Sequence, residues 1–356
     1  MNDDVLLSLP PVKSYKSPFL PPEWWEQDAI QLTWPHERSD WKCILSEAKR
    51  TFLRIAEEIS LRQHLIVVVP SAAMFFEENR GTNLHWDNVI VVEALSNDTW
   101  ARDHGGITRY YNGKIEVLDF QFNGWGNKYD HHLDNAITEA LFEADIFQGK
   151  VARINMNQFV LEGGAIEVNG KGLMLSTTSC LWNKSRNPEL SKEEIERELK
   201  QVLGVSDILW LGHGHLEGDD TDGHIDTLAR FCNEDTIAYV QCKDENDTHF
   251  KQLFMMEEEL KEMANRYNLE LVPLPMVPPI FDDERRLPVT YANFLIINGA
   301  VLVPTYNVAT DLTAKRVLMK LFPDREVVLI DCSTLVKQNG SLHCITMQYP
   351  RGVLKK

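Results

Sequence analysis

Apolar residues along this 356-residue chain fall in two rhythms. Short continuous runs, such as LIVVV at 65–69, read as buried strands, and longer stretches with apolar positions three or four apart read as helices. The segment SKEEIERELKQVLG predicts one helix, opened by a capping box of Ser191 and Glu194 and stopped at Gly204. The strand DILWLGHGH follows it. A second helix begins near Asp311 (DLTAKRVLMKLF) and leads into EVVLIDC; a third spans Asp134 to Phe147. Segments 64–95 and 236–273 each read as strand, helix, strand. Asn-Gly pairs at 112–113, 169–170 and 298–299 sit between strand-like runs. They are hairpin signals, because both residues of such a turn adopt positive φ.

The repeat is loose but recurrent: NGKGLMLST at 169–177 resembles NGAVLVPT at 298–305. About five strand–strand–helix–strand units of roughly 60 residues can be counted, and repeats of that period point to a radial or solenoid arrangement. A closed ring would hold one central cavity. An ordinary mixed α/β sheet with coincidental turns is the alternative. No apolar run approaches the roughly 20 residues of a membrane helix, and the acidic N-terminus has no secretion-signal pattern.

Charge narrows the partners. The net charge of −17 argues against nucleic acid and anionic membranes. The six cysteines form no C-x-x-C pair and read as free thiols of a reducing, cytoplasmic compartment, with Cys232 and Cys242 as small core residues.

Five stretches could carry chemistry. NDTWARDHGG (97–106) crowds Asp98, Asp103 and His104 around Trp100, a cluster that also fits a plain capped turn with a surface ion pair. In FVLEGGAIEV, Glu162 closes an apolar strand, where an unpaired carboxylate is costly unless it faces water. LGHGHLEGDDTDGHIDTLARF (211–231) is the most unusual, with His213, His215, Glu217, Asp219, Asp220, His224 and Asp226 and no basic residue before Arg230. On a strand His224 and Asp226, two apart, would share a face. His213 and His215 with Asp226 suggest a metal-dependent amidohydrolase as an alternative. QNGSLHCITMQYP places Cys344 on a short strand, where His343, facing the other way, would not be its base. Trp125, Tyr129 and His132 mark a loop that could line a pocket, without an assigned role.

Three of these stretches combine into one mechanism. Cys344 could be a nucleophile, His224 its acid/base partner, and Asp103, Asp226 and Glu162 a ring of carboxylates. Carboxylates would suppress a thiolate unless the substrate is itself a cation. A guanidinium is planar, always charged and able to pair with two carboxylates.

WARDHGG, FNGWGNKYD, LEGGAIEV, LWNKSRNPELSKEEIE, DDTDGHID and GSLHCITMQYP, in this order, resemble the agmatine deiminase family, as does the opening PPEWWEQDAIQLTWP. The wider relatives are arginine and bacterial peptidyl-arginine deiminases. The resemblance implies a single α/β pentein domain over 19–352, five ββαβ units around a pseudo-fivefold axis, behind an N-terminal extension at 1–18. It implies catalytic roles for Cys344, His224, Glu162, Asp103 and Asp226, with Trp100 and Asp220 also touching substrate. The implied reaction is hydrolysis of agmatine to N-carbamoylputrescine and ammonia, a step toward putrescine, with no metal and no cofactor. The family pattern differs here at His104, at Gly106, in LWLGHGHLEGDD and before Cys344, which leaves the tail of the substrate open: Glu217, Asp219 and Asp220 would receive agmatine's ammonium. A homo-oligomer fits this reading. The alternatives are a deiminase of another guanidine such as peptidyl-arginine, the metal-dependent amidohydrolase, and a non-catalytic binding module.

Overall fold

A computed structural model describes residues 15–355, a mixed α/β fold. The extension expected at 1–18 lies outside the described residues through position 14.

Five sheets repeat one plan. In the second, Ile107–Tyr111 pairs antiparallel with Lys114–Gln121, which pairs parallel with Val151–Val160. The third is built the same way from Glu167–Val168, Leu173–Thr177 and Asp207–Leu211. The fourth uses Ala229–Phe231, Thr236–Gln241 and Glu270–Pro275, and the fifth Leu295–Ile297, Ala300–Thr305 and Glu326–Asp331. A helix makes each parallel crossover, as a parallel connection requires: Ile137–Glu143, Lys192–Leu203, Phe250–Tyr267 and Asp311–Leu321. The helix at Lys192 carries the expected capping box, and Gly204 ends it in the left-handed conformation.

The first sheet departs from the sequence reading. The segment 64–95 does form strand, helix, strand, but the repeating unit lies upstream of it. Gln27–Thr33 pairs parallel with His64–Val69 across the helix Leu45–Ser60, whose Ala48, Phe52, Ile55, Ala56 and Ile59 are all buried. Its antiparallel partner is Thr346–Pro350, from the far end of the chain. Val89–Glu93 is an extra fourth strand. The chain ends are therefore stitched together within one sheet.

The Asn-Gly turns are also more varied than expected. Only Asn112-Gly113 has both residues at positive φ. At the other two, glycine alone does. There the asparagine is used for bonding: Asn169 Oδ1 accepts from the backbone of Lys171 and Leu173, and Asn298 exchanges two hydrogen bonds with the Gln27 backbone. Asn298 thus ties the fifth sheet to the first.

No helix among the described residues is long and apolar enough to cross a membrane. All six cysteines are free; Cys232 and Cys242 are buried as expected.

Candidate active site

The residues singled out above converge from four separate connections. Asp103 lies just ahead of the second sheet, Glu162 ahead of the third, His224 and Asp226 ahead of the fourth, and Cys344 ahead of the strand Thr346–Pro350. Neither His224 nor Asp226 is on a strand. Ile225–Thr227 is a 3-10 turn, and the turn rather than strand alternation brings the two side chains into one site. Cys344 likewise sits in a turn before its strand.

The thiol of Cys344 is buried. Its Sγ lies 3.2 Å from Asn293 Nδ2 and 3.8 Å from Asp226 Oδ2. Burial, then Asp226 and Asp103, push the thiol well above its usual range, so the resting nucleophile is protonated. Asp226 behaves oppositely. Burial pushes it up, but the hydrogen bond and charge of His343, then His224 and Arg230, hold it below the usual carboxylate range. Its Oδ1 has no partner.

His224 is fully buried, with Nδ1 3.5 Å from Asp103 Oδ1 and neither ring nitrogen hydrogen-bonded. Burial disfavours its charge, yet Asp103, Cys180 and Glu162 outweigh burial and raise it well above the ordinary value. Asp103 accepts from Trp125 Nε1 at 2.9 Å and from the Gly164 amide at 3.1 Å. Burial, opposed by His224, pushes it up to about 6. A Cβ at Gly164 would lie 2.5 Å from His224 Nδ1, so only glycine lets the 3-10 turn Gly163–Ala165 approach the pair. Glu162 is fully buried; its Oε1 accepts from Arg186 Nε at 2.9 Å and its Oε2 is unpartnered.

Of these groups, Asp103 and Cys344 open on a cleft lined also by Trp100, Trp125, Asp219 and Asp220 and, at its mouth, by Asp40 and Asp98. Trp100 donates to Asp98 Oδ2 at 3.1 Å. Asp220 accepts from Tyr129 and Asn339. Trp125 and Tyr129 line the cleft as their loop suggested; His132 is not among its lining residues. Gly340 makes room for Trp100: a Cβ there would sit 2.2 Å from the indole. Gly340→Ala therefore overpacks this wall, at about 1–3 kcal/mol. The expected result is a raised KM for substrate with kcat less affected; an unchanged KM would show that Trp100 does not wall the substrate.

Several expectations need correcting. Of the acidic trio expected to meet the substrate tail, Glu217 lies 3.8 Å from Arg286 and does not line the cleft. Both Asp219 oxygens are used by its own loop, accepting from Thr221 and Gly223. His213 is held by Glu259 at 2.6 Å, and the metal alternative built on His213, His215 and Asp226 finds no cluster. Among the described residues the close-set group of metal-capable side chains is instead Glu162, Cys180 and His224. His104 is a buried histidine pushed down by burial to about 3, packed near Phe122.

Four participants escaped the sequence reading. Asn293 and Asp40 lie outside every stretch singled out for chemistry. Arg186 and Glu23 do fall inside the quoted runs LWNKSRNPELSKEEIE and PPEWWEQDAIQLTWP, which was the available signal.

The model of the Porphyromonas-type peptidyl-arginine deiminase family matches residues 19–350. The agmatine deiminase of Pseudomonas putida strain F1 is 32% identical, the match covering 94% of this chain and 96% of that protein. A solved Porphyromonas gingivalis structure, provisionally described as an arginine deiminase, is 50% identical at a TM-score of 0.91, covering 95% of this chain and 100% of that one. The C. jejuni agmatine deiminase, solved as a cysteine-to-serine variant with substrate bound, is 38% identical at a TM-score of 0.88, covering 95% and 97%. With the family's match running through every residue of the cleft described above, this chain belongs to the Porphyromonas-type peptidyl-arginine deiminase family.

Proposed function

We propose that this chain is an agmatine deiminase, acting through a covalent intermediate on Cys344. The observation that carries the reading is a buried thiol flanked by two buried carboxylates, with an imidazole beside one of them. Burial and the negative charge of those carboxylates keep the thiol protonated. A guanidinium between Asp103 and Asp226 reverses that field, which makes thiolate formation depend on substrate.

The thiol proton passes to solvent, and the Cys344 thiolate then adds to the guanidinium carbon. His224 gives a proton to the departing nitrogen, ammonia leaves, and an amidino-thioether cation remains on Cys344. His224 next takes a proton from water, which adds to the same carbon; the C–S bond breaks, the thiol is restored and N-carbamoylputrescine departs. Glu162, itself fixed by Arg186, supports the charged form of His224. Every step uses side chains alone.

The tail ammonium meets Asp98 and Asp40, in the cleft that Asp219 and Asp220 of the expected trio also line and Glu217 does not. Burial, with Asp40 adding to it, pushes Asp98 up to about 7. A raised carboxylate is neutral below its pKa and becomes an anion as pH rises through it. Agmatine KM should therefore fall as pH rises through about 7. Asp98→Asn should flatten that dependence and raise KM about 10-fold, the order of one lost charge-assisted contact. A KM independent of pH in the wild type would remove Asp98 from the tail site.

We further infer that 19–352 is one catalytic domain whose five sheets close into the five-bladed pentein ring. What supports this is the shared strand order, and the way each connection into a sheet delivers a site residue at the same point of the repeat: Asp103, Glu162, His224 with Asp226, Asn293 and Cys344.

Agmatine, L-arginine and an arginyl peptide, assayed in parallel for ureido product, test the substrate. Turnover of agmatine alone is expected; preference for the peptide would move this chain to the peptidyl-arginine alternative.

A further inference from the structure

His343, set aside as a base for Cys344, is placed for a different task. Its Nδ1 lies 2.7 Å from Asp226 Oδ2 and its Nε2 lies 2.7 Å from Glu23 Oε2. All three side chains are buried. Carboxylates only accept hydrogen bonds, and a neutral imidazole has a single N–H. An imidazole bonded at both nitrogens to carboxylates must donate twice, which requires either an imidazolium or a protonated acid. Neither acid is disposed to be protonated. Burial pushes Glu23 up, but His343, Arg230 and Arg102 outweigh it and hold the carboxyl far below its usual range, and Asp226 is also held low.

We propose that His343 is a positioning residue, a standing imidazolium clamped between Glu23 and Asp226 that holds Asp226 charged and aimed beside the nucleophile. The proposal rests on the deiminase reading for its kinetic consequence, though not for the clamp itself. Asp226 shares its site with Asp103, and two neighbouring buried carboxylates tend to trap a proton between them. That proton would occupy the seat of the guanidinium. His343 prevents this from behind, through the same Oδ2 that lies 3.8 Å from Cys344 Sγ. Asp226 is then faced by His343, His224, Asp103, Cys344 and Arg230; His343 is faced by Glu23 and Asp226, with Glu167, Arg230 and Arg102 beyond. Glu23 is anchored independently, its Oε1 accepting from the Ile296 amide at 2.7 Å and its Oε2 from Arg230 at 3.1 Å. This gives the N-terminal PPEWWEQDAIQLTWP run a role in catalysis that no direct contact with substrate would reveal.

The test has two arms. In the wild-type protein labelled with ¹⁵N-histidine, both His343 nitrogens should show protonated shifts at the assay pH, assigned by their loss in His343→Gln. Glu23→Gln should remove that doubly protonated signal at the same pH. In kinetics, His343→Gln should lower kcat/KM for agmatine about 10–100-fold, the usual scale for a supporting residue behind a site. It should also move the acid limb of the pH profile to higher pH, since Asp226 loses its cation and ionises later. A neutral His343 tautomer in the wild type overturns the proposal, as does an unmoved acid limb. If His343→Gln does not fold, its signal is assigned through Glu23→Gln and the wild-type spectrum decides. A chain inactive on agmatine but showing the imidazolium would overturn the functional reading and leave the clamp standing.

Discussion

Cys344→Ser is expected to lose agmatine turnover by at least about 10³-fold while keeping the fold and the ability to bind substrate. The structure gives the reason. Sγ lies against Asn293 and Asp226, and serine fits the same space without strain. Its hydroxyl is a far weaker acid than a thiol, so the field of a bound guanidinium does not generate the nucleophile. Substrate binding should survive, because Asp103, Asp226, Trp100 and the mouth carboxylates are untouched. The measurement is steady-state ureido production alongside calorimetric titration of agmatine into the variant. Retained turnover within tenfold would dismiss a thiol mechanism; lost turnover with lost binding would assign Cys344 to the ground state only.

The second large effect concerns stability. Arg230 is fully buried with Glu167 at its Nε, Glu23 at 3.1 Å from Nη2 and the Phe294 carbonyl at 2.7 Å from Nη1. Its guanidinium also stacks 4.8 Å from the Phe294 ring centre. Arg230→Leu would leave buried Glu167 without its cation and take one of three cationic partners from Glu23, which keeps His343 and Arg102, a loss of about 3–5 kcal/mol. Denaturant unfolding should show that shift in midpoint, and adding Glu167→Gln should recover part of it. A change below about 1 kcal/mol would mean that the network relaxes or hydrates freely.

Much of this was legible in the sequence because it is local. The Ser191–Glu194 box, the Gly204 stop and four of the five units depend on residues near one another. The first unit was misplaced because its defining partner, Pro350, pairs with Gln27 across nearly the whole chain, and local pattern carries no trace of such a pairing. The site shows the same division. His224, Asp226 and Asp103 stood out in dense polar motifs, Glu162 as a carboxylate closing an apolar strand and Cys344 on a short strand near the C-terminus, and the structure gathers all five. The reasoning for His224 and Asp226 used strand alternation, whereas a 3-10 turn does the work. Asn293 gave no local signal, since a lone asparagine between Ala292 and Phe294 acquires meaning only when the fold sets it against Cys344. Acidic density pointed to Glu217, Asp219 and Asp220 together, but the fold sends Glu217 toward Arg286 and leaves Asp219 and Asp220 on the cleft, with Asp219 also holding its own loop.

The central claim is that substrate carbon becomes bonded to Cys344. Rapid acid quench of enzyme turning over agmatine, followed by mass spectrometry of the Cys344 peptide, tests it directly. The account predicts an amidino adduct on that peptide, formed and lost on the timescale of turnover and absent in Cys344→Ser. Full turnover with an unmodified Cys344 peptide at every quench time, or an adduct on another residue, would contradict it.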